Sequence, residues 1–130
     1  EFVIDFASGK GQDMRRLNDA GVKNVLFVDN DAHALSELIE RKHSSNRFSY
    51  RIYTKQMDMS TDYRINMKSI TNIGFPYTKV SFSMCQLAIH YFLKTPQTAL
   101  NAIKLIHLTI LVNWLVYCYH LLKERHMMNI

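Results

Sequence analysis

Three observations assign the chain to the α/β class, with a mostly parallel sheet and helices on both faces. Short apolar runs rich in β-branched and aromatic residues recur along it. Amphipathic segments of crossover length separate these runs, and Gly, Asn, Asp or Thr-Pro punctuates most of the boundaries. Strand and helix alternate four times in this way, the pattern that calls for parallel strands covered on both sides. No repeat, linker or low-complexity stretch interrupts it.

The first run, Phe2 to Phe6 (FVIDF), reads as a short buried strand. A turn containing Ser8-Gly9-Lys10-Gly11 follows, and Asp13 to Ala20 reads as a helix closed by Gly21, a residue suited to a left-handed cap. Asn24 to Asp29 (NVLFVD) is the second strand. Asn30 and Asp31 supply N-cap chemistry for a helix that keeps Ala34, Leu35, Leu38, Ile39 and Lys42 at 3.6-residue spacing. Residues 43–47 read as a loop and Phe48 to Met57 as the third strand. Thr61 to Ser69 reads as a polar helix, "NIGFPY" as a turn, and Lys79 to Cys85 as the fourth strand. Thr95-Pro96 opens a further helix, Thr as cap and Pro at the first helical position, with Ala99, Leu100, Ile103 and Ile106 on its apolar face. Beyond it, "TILVNWLVYCYHLL" reads as a fifth strand or more helix.

At 130 residues the chain has the length of one domain, residues 1–130, with a single core. Its first residue is Glu and the Gly turn falls only a few residues in, which points to a fragment of a longer protein, incomplete at both ends. Hydrophobic content of 48% against 21% charged residues excludes a disordered chain. A net charge of +5 suits a polyanionic partner, although the basic residues are scattered and form no dense run. Cys85 and Cys118 lie in apolar runs without metal-ligand spacing, which points to a reducing compartment and to neither a disulfide framework nor a zinc site. His33, His43, His107, His120 and His126 show no ligand spacing either. Leu105 to Leu122 carries no formally charged residue and reaches membrane-span length, but His107, Thr109, Asn113 and His120 within it favour a buried helix end followed by a core strand.

In an open parallel sheet the ligand sits beyond the carboxyl ends of the strands, nearest the first strand-to-helix turn. Gly9 and Gly11 suit that position, since a Cβ there would block a ligand or strain the backbone. A Walker-type phosphate loop is excluded, because Ile4 stands where its first Gly belongs and Gly11 follows Lys10. A dinucleotide fingerprint fails at Met14, where close packing beneath a pyrophosphate needs a third Gly. A ligand with a ribose and no pyrophosphate remains. Asp29 ends the second strand at the offset from which an acid accepts ribose hydroxyls, and Asp13 suits a cationic amino-acid tail. S-adenosylmethionine has both parts. Taken singly, Asp13 is equally a helix N-terminal acid and Asp29 a strand-end cap; the pair around this turn points to the ligand.

"VIDFASGKGQD", "VLFVDND" and "MCQLAIHY" (Met84 to Tyr91) together resemble the mRNA cap guanine-N7 methyltransferases, and most of all the methyltransferase domain of capping enzymes from large cytoplasmic DNA viruses. The resemblance covers roughly residues 2–107. It implies a Rossmann-like S-adenosylmethionine-dependent methyltransferase fold and methyl transfer to N7 of the cap guanine of GpppN-RNA. It further implies a cytoplasmic site of action (a virus factory or virion). Position by position, it places Gly9 and Asp13 on the methionine part of the cofactor and Asp29 on the ribose. It places Asp58 near the adenine, Gln86 on the cofactor side, and His90 and Tyr91 at the cap guanine. Asp58 is also readable as a cap before Ser60 and Thr61, and Gln86 as a loop hydrogen-bonder. No general base is implied, because a sulfonium methyl is already activated and guanine N7 is unprotonated at neutral pH; proximity and alignment are what remain for the protein. Capped RNA is the implied partner, with triphosphatase and guanylyltransferase domains or a partner subunit alongside.

The sequence departs from the family pattern at Ala7 and Gln12, where Gly is common, and in lacking a Pro-Gly-Gly-like turn before "TILVNWLV". A methyltransferase with another substrate and a non-catalytic module of a capping assembly are therefore the alternative readings.

Overall fold

The computed structural model describes residues 2–86 and 88–109. Its elements run β1 (Phe2–Phe6), α1 (Met14–Asp19), β2 (Asn24–Asp29), α2 (Ala32–His43), β3 (Arg51–Gln56), α3 (Tyr63–Asn72), β4 (Val80–Met84), α4 (Ile89–Phe92) and α5 (Pro96–Leu108). The strands form one all-parallel sheet in the order β3-β2-β1-β4. The chain steps outward from β1 to β3, then returns to lay β4 on the other side of β1. This reversal makes a switch point between β1 and β4, where an open sheet of this kind leaves a crevice. The architecture is the Rossmann-like α/β fold expected.

Alternate residues of a strand face opposite sides, and the two cores follow that alternation. Ile4, Phe6, Leu26 and Val28 point to the side covered by α3 and α5, where Ile70, Ala102, Leu105 and Ile106 meet them. Val3, Val25 and Phe27 point to the side covered by α1 and α2, against Met14, Leu17, Leu35 and Leu38. β1 and β2 are apolar on both faces because both faces are covered.

The caps follow local chemistry. The Asp31 carboxylate accepts from the His33 and Ala34 amides, and the Asp62 carboxylate from that of Arg64. Thr95 and Thr98 form a reciprocal capping box with Pro96 at the first helical position.

Three differences from the sequence reading exceed a residue at a boundary, and of the face read for α5, Ile106 is buried while Leu100 and Ile103 are exposed at 44% and 45%. β3 is shorter at its start, because Phe48 and Tyr50 enter the α1/α2 core from a loop rather than from a paired strand. α3 starts after Asp62 and runs on to Asn72, its buried positions Asn66 and Ile70 four apart. A short helix, α4, follows β4 where the sequence suggested only an apolar segment. The predicted fifth strand lies outside the described residues, as does all of Leu105 to Leu122 beyond Thr109. Among the described residues no helix is long and apolar enough to cross a membrane.

Candidate functional site

The β1–α1 turn is built by two hydrogen bonds to its neighbour strand β2 and one within itself. The Ser8 amide donates to the Val28 carbonyl at 2.9 Å, the Gly9 amide to Asp29 Oδ2 at 2.7 Å, and the Gly11 amide to the Ser8 carbonyl at 3.1 Å. Three residues of this turn, Ala7, Gly9 and Gly11, have φ of 56°, 56° and 81°. Ala7 is the one non-Gly residue among the described residues in that left-handed region, a conformation that costs an L-residue about 1–2 kcal/mol. At Gly11 the backbone strain read in sequence is present, but the steric obstacle is another one. A Cβ there would lie 2.5 Å from Met14 Sδ and 3.1 Å from Leu38 Cγ, so the obstacle is helix packing rather than a ligand. At Gly9 a Cβ would come within 2.9 Å of the Gln12 amide oxygen. Arg41 of α2 donates to the Gly11 carbonyl at 3.2 Å and Lys10 pairs with Glu37 at 3.1 Å, which ties α2 to the turn.

A cavity of about 370 Å³ opens at this turn, lined by Asp5, Ala7, Ser8, Gly9, Gln12, Asp13, Arg16 and Gln86. Asp5 is the residue that sequence reasoning missed. It is 2% exposed and its Oδ2 has no hydrogen-bond partner, nor does the Ser8 hydroxyl beside it. Burial, reinforced by the carboxylates of Asp13 and Asp29, pushes the Asp5 pKa up to about 7. The signal was present: an acid inside the apolar run "FVIDF" has to be explained by something it faces. Asp13 stands at the N-terminus of α1, as its reading as a helix N-terminal acid has it, but its carboxylate makes no cap bond and instead pairs with Arg16 Nη1 at 3.1 Å.

A second cavity, of about 360 Å³, is lined by Ala7, Asp29, Asn30, Met57, Met59, Ala88, Tyr91 and Phe92. Ala7 borders both. The wall is apolar apart from Asp29 and Asn30, at the carboxyl end of β2. Asp29 Oδ1 accepts from the Asp31 amide at 2.9 Å while Oδ2 holds Gly9, so Asp29 is indeed a strand-end cap. Each carboxylate oxygen keeps a second acceptor site for a ligand hydroxyl.

Of the residues named from sequence, Gly9, Asp13 and Gln86 meet at the first cavity, and Asp29 and Tyr91 at the second. Asp58 and His90 line neither. The Asp58 carboxylate accepts from the Ser60 amide at 2.8 Å in a local turn, not as a helix cap, since Asp62 caps α3, and it lies exposed between Met57 and Met59 in sequence. The His90 ring lies 4.1 Å from that of Tyr91, both side chains exposed on α4. Among the described residues no group of three or more His, Cys, Asp or Glu could hold a metal ion.

No family model matches the chain. An alignment of 130 residues, covering 95% of it, is 33% identical to an mRNA-capping enzyme of African swine fever virus. Over 89 residues it is 29% identical to an mRNA cap guanine-N7 methyltransferase of Caenorhabditis briggsae, and over 92 residues 30% identical to that of Caenorhabditis elegans, 68% of the chain in each case. The chain spans 15% of the length of the viral relative and 23% of the nematode ones.

Proposed function

We propose, because the chain belongs to the mRNA cap guanine-N7 methyltransferase family, that its two cavities bind S-adenosylmethionine and that it acts in methylating N7 of the cap guanine of GpppN-RNA. The observation that carries this reading is the turn shared by both cavities. On one side it is flanked by the carboxyl groups of Asp5 and Asp13, and on the other by Asp29 of β2 against an apolar wall.

The chemistry of the two cavities fits the two ends of that cofactor. Asp5 Oδ2 and the Ser8 hydroxyl are buried without partners, and a cationic amino-acid group would supply what they lack. Asp13, 14% exposed at its side chain, adds negative charge at the same mouth. In the second cavity Asp29 would accept ribose hydroxyls while Met57, Met59 and Phe92 bury a planar base. S-adenosylmethionine supplies a methyl group that is already activated. This chain's residues would therefore work by placement. Gln86 flanks the cofactor, and His90 and Tyr91, carried on the exposed face of α4, are the groups that would meet the guanine. Aligning two bound reactants is by itself a large part of a methyl transfer that needs no base. Capped RNA, and further capping domains or a subunit in the whole protein, follow as partners.

Calorimetric titration tests the reading. S-adenosylhomocysteine is expected to bind the folded chain saturably, and NADH not at all. Asp29→Ala is expected to weaken S-adenosylhomocysteine by about 1–3 kcal/mol, the loss of charge-assisted hydrogen bonds. His90→Ala is expected to spare S-adenosylhomocysteine and weaken a cap analogue. Equal loss of both ligands in the His90 variant, or none in the Asp29 variant, would sink the assignment of roles.

A further inference from the structure

Two buried side chains have no part in that reading, yet both donate to one short loop. Asn66 of α3 is 5% exposed and Asn101 of α5 is 6% exposed. Asparagine is a poor helix former, and a carboxamide taken out of water costs free energy unless it is hydrogen-bonded. Here Asn66 Nδ2 donates to the Asp58 carbonyl at 2.8 Å, and Asn101 Nδ2 to the Ser60 carbonyl, 41 residues away, at 3.0 Å. Gln97 Nε2 donates to Asn101 Oδ1 at 3.4 Å, which turns the Asn101 amide nitrogen toward the loop.

The two carbonyls flank Met59, which is 2% exposed and forms part of the wall of the second cavity. Met57, on the same wall, is held from the other side by its amide donating to the Asp29 carbonyl at 2.9 Å. The loop that carries both methionines is thus clamped between the end of β2, α3 and α5. Neither asparagine lines the cavity. An alanine at either position would suit the helix better but would leave the Asp58 or Ser60 carbonyl without its donor, so what each side chain secures is the loop rather than its own helix.

We propose that Asn66 and Asn101 are positioning residues that fix the Met57–Met59 wall at the height needed to grip the base of a bound nucleoside. The proposal rests on the reading of the second cavity as a nucleoside site. It makes α5 a determinant of cofactor recognition without contact to the cofactor.

The test compares S-adenosylhomocysteine with S-inosylhomocysteine, which differ only at the base edge, by titration of the parent, Asn66→Ala, Asn101→Ala and Ile106→Ala. Ile106→Ala deletes core volume on the same helix as Asn101 and is the control for general loosening. Each asparagine variant is expected to lose about three- to tenfold in affinity for S-adenosylhomocysteine, the worth of one or two hydrogen bonds. It should lose less for the inosine analogue, so that discrimination between the bases falls. Ile106→Ala, held below its unfolding transition, is expected to keep the parent's discrimination. Unchanged discrimination in both asparagine variants would overturn the proposal, as would an equal drop in Ile106→Ala. If Asn101→Ala fails to fold, Asn66→Ala decides alone. A folded parent that binds neither compound would overturn the nucleoside reading of the cavity and this proposal with it.

Discussion

The β1–α1 turn and the β4–α4 segment both lie at the carboxyl edge of the sheet, and they are built in opposite ways. The turn is tied to β2 by one bond to the Val28 carbonyl and one to the Asp29 carboxylate, and Ser8 and Gly11 are buried within it. After Met84 the ladder ends. α4 is a four-residue helix without a side-chain cap, and it presents Tyr91 at 60% exposure. Under the proposed roles, the side that would take a small ligand is fixed by the protein's own hydrogen bonds, and the side that would meet RNA is left open. The contrast suits a cofactor side that is preorganised and a substrate side that is not.

Substitutions on the two sides should separate accordingly. The largest effect is expected on the turn. Gly11→Ala forces a side chain into a left-handed backbone and against Met14, and should lose about 3 kcal/mol in urea unfolding. Gly21→Ala, at φ of 73° with nothing within 4 Å, should lose only about 1 kcal/mol. Equal losses would mean that packing around the turn is looser than its bonds suggest.

Asp5 is next. Its carboxyl is neutral up to a pKa of about 7 in the folded chain and ionises from 3.8 in the unfolded one. Between those values the native state binds more protons, so stability is fully present below pH 3.8 and declines as pH rises to 7. Asp5→Asn should remove that decline and gain about 2 kcal/mol over the parent at pH 8, with no such gain at pH 4. Thermal unfolding across that range checks it. A gain independent of pH would show that Asp5 ionisation is not its source.

The smallest effect is expected across the sheet edge. Tyr91→Ala removes an exposed ring and should change stability by less than about 0.5 kcal/mol. A larger loss by chemical denaturation would mean that α4 is part of the folded framework, and the contrast between the two regions would weaken.

Much of this fold was legible because its signals are local. FVIDF and NVLFVD are too apolar to lie anywhere but mid-sheet, and Thr95-Pro96 carries its cap in its own residues. β3 was over-extended because Phe48 and Tyr50 have strand-like side chains, and only the packing shows that they enter the core from a loop. α3 was misplaced because Asp62, its cap, lay in a polar stretch with several candidates. Around the candidate site, the turn and the place of Asp29 at the end of β2 were readable from spacing. Asp5 was hidden by the strand that carries it, where one acid among four apolar residues passed as pattern noise. Asn66 and Asn101 had no signal at all, since their role depends on a loop 8 and 41 residues away.

The 2.7 Å bond from the Gly9 amide to Asp29 has one more consequence. An amide proton held that closely by a carboxylate is shifted downfield by the charge it faces. In a magnetic resonance spectrum it would stand apart from the rest of the backbone. The chain thus carries a natural reporter at the junction of its two cavities, one proton that would register a ligand arriving on either side without any label being attached.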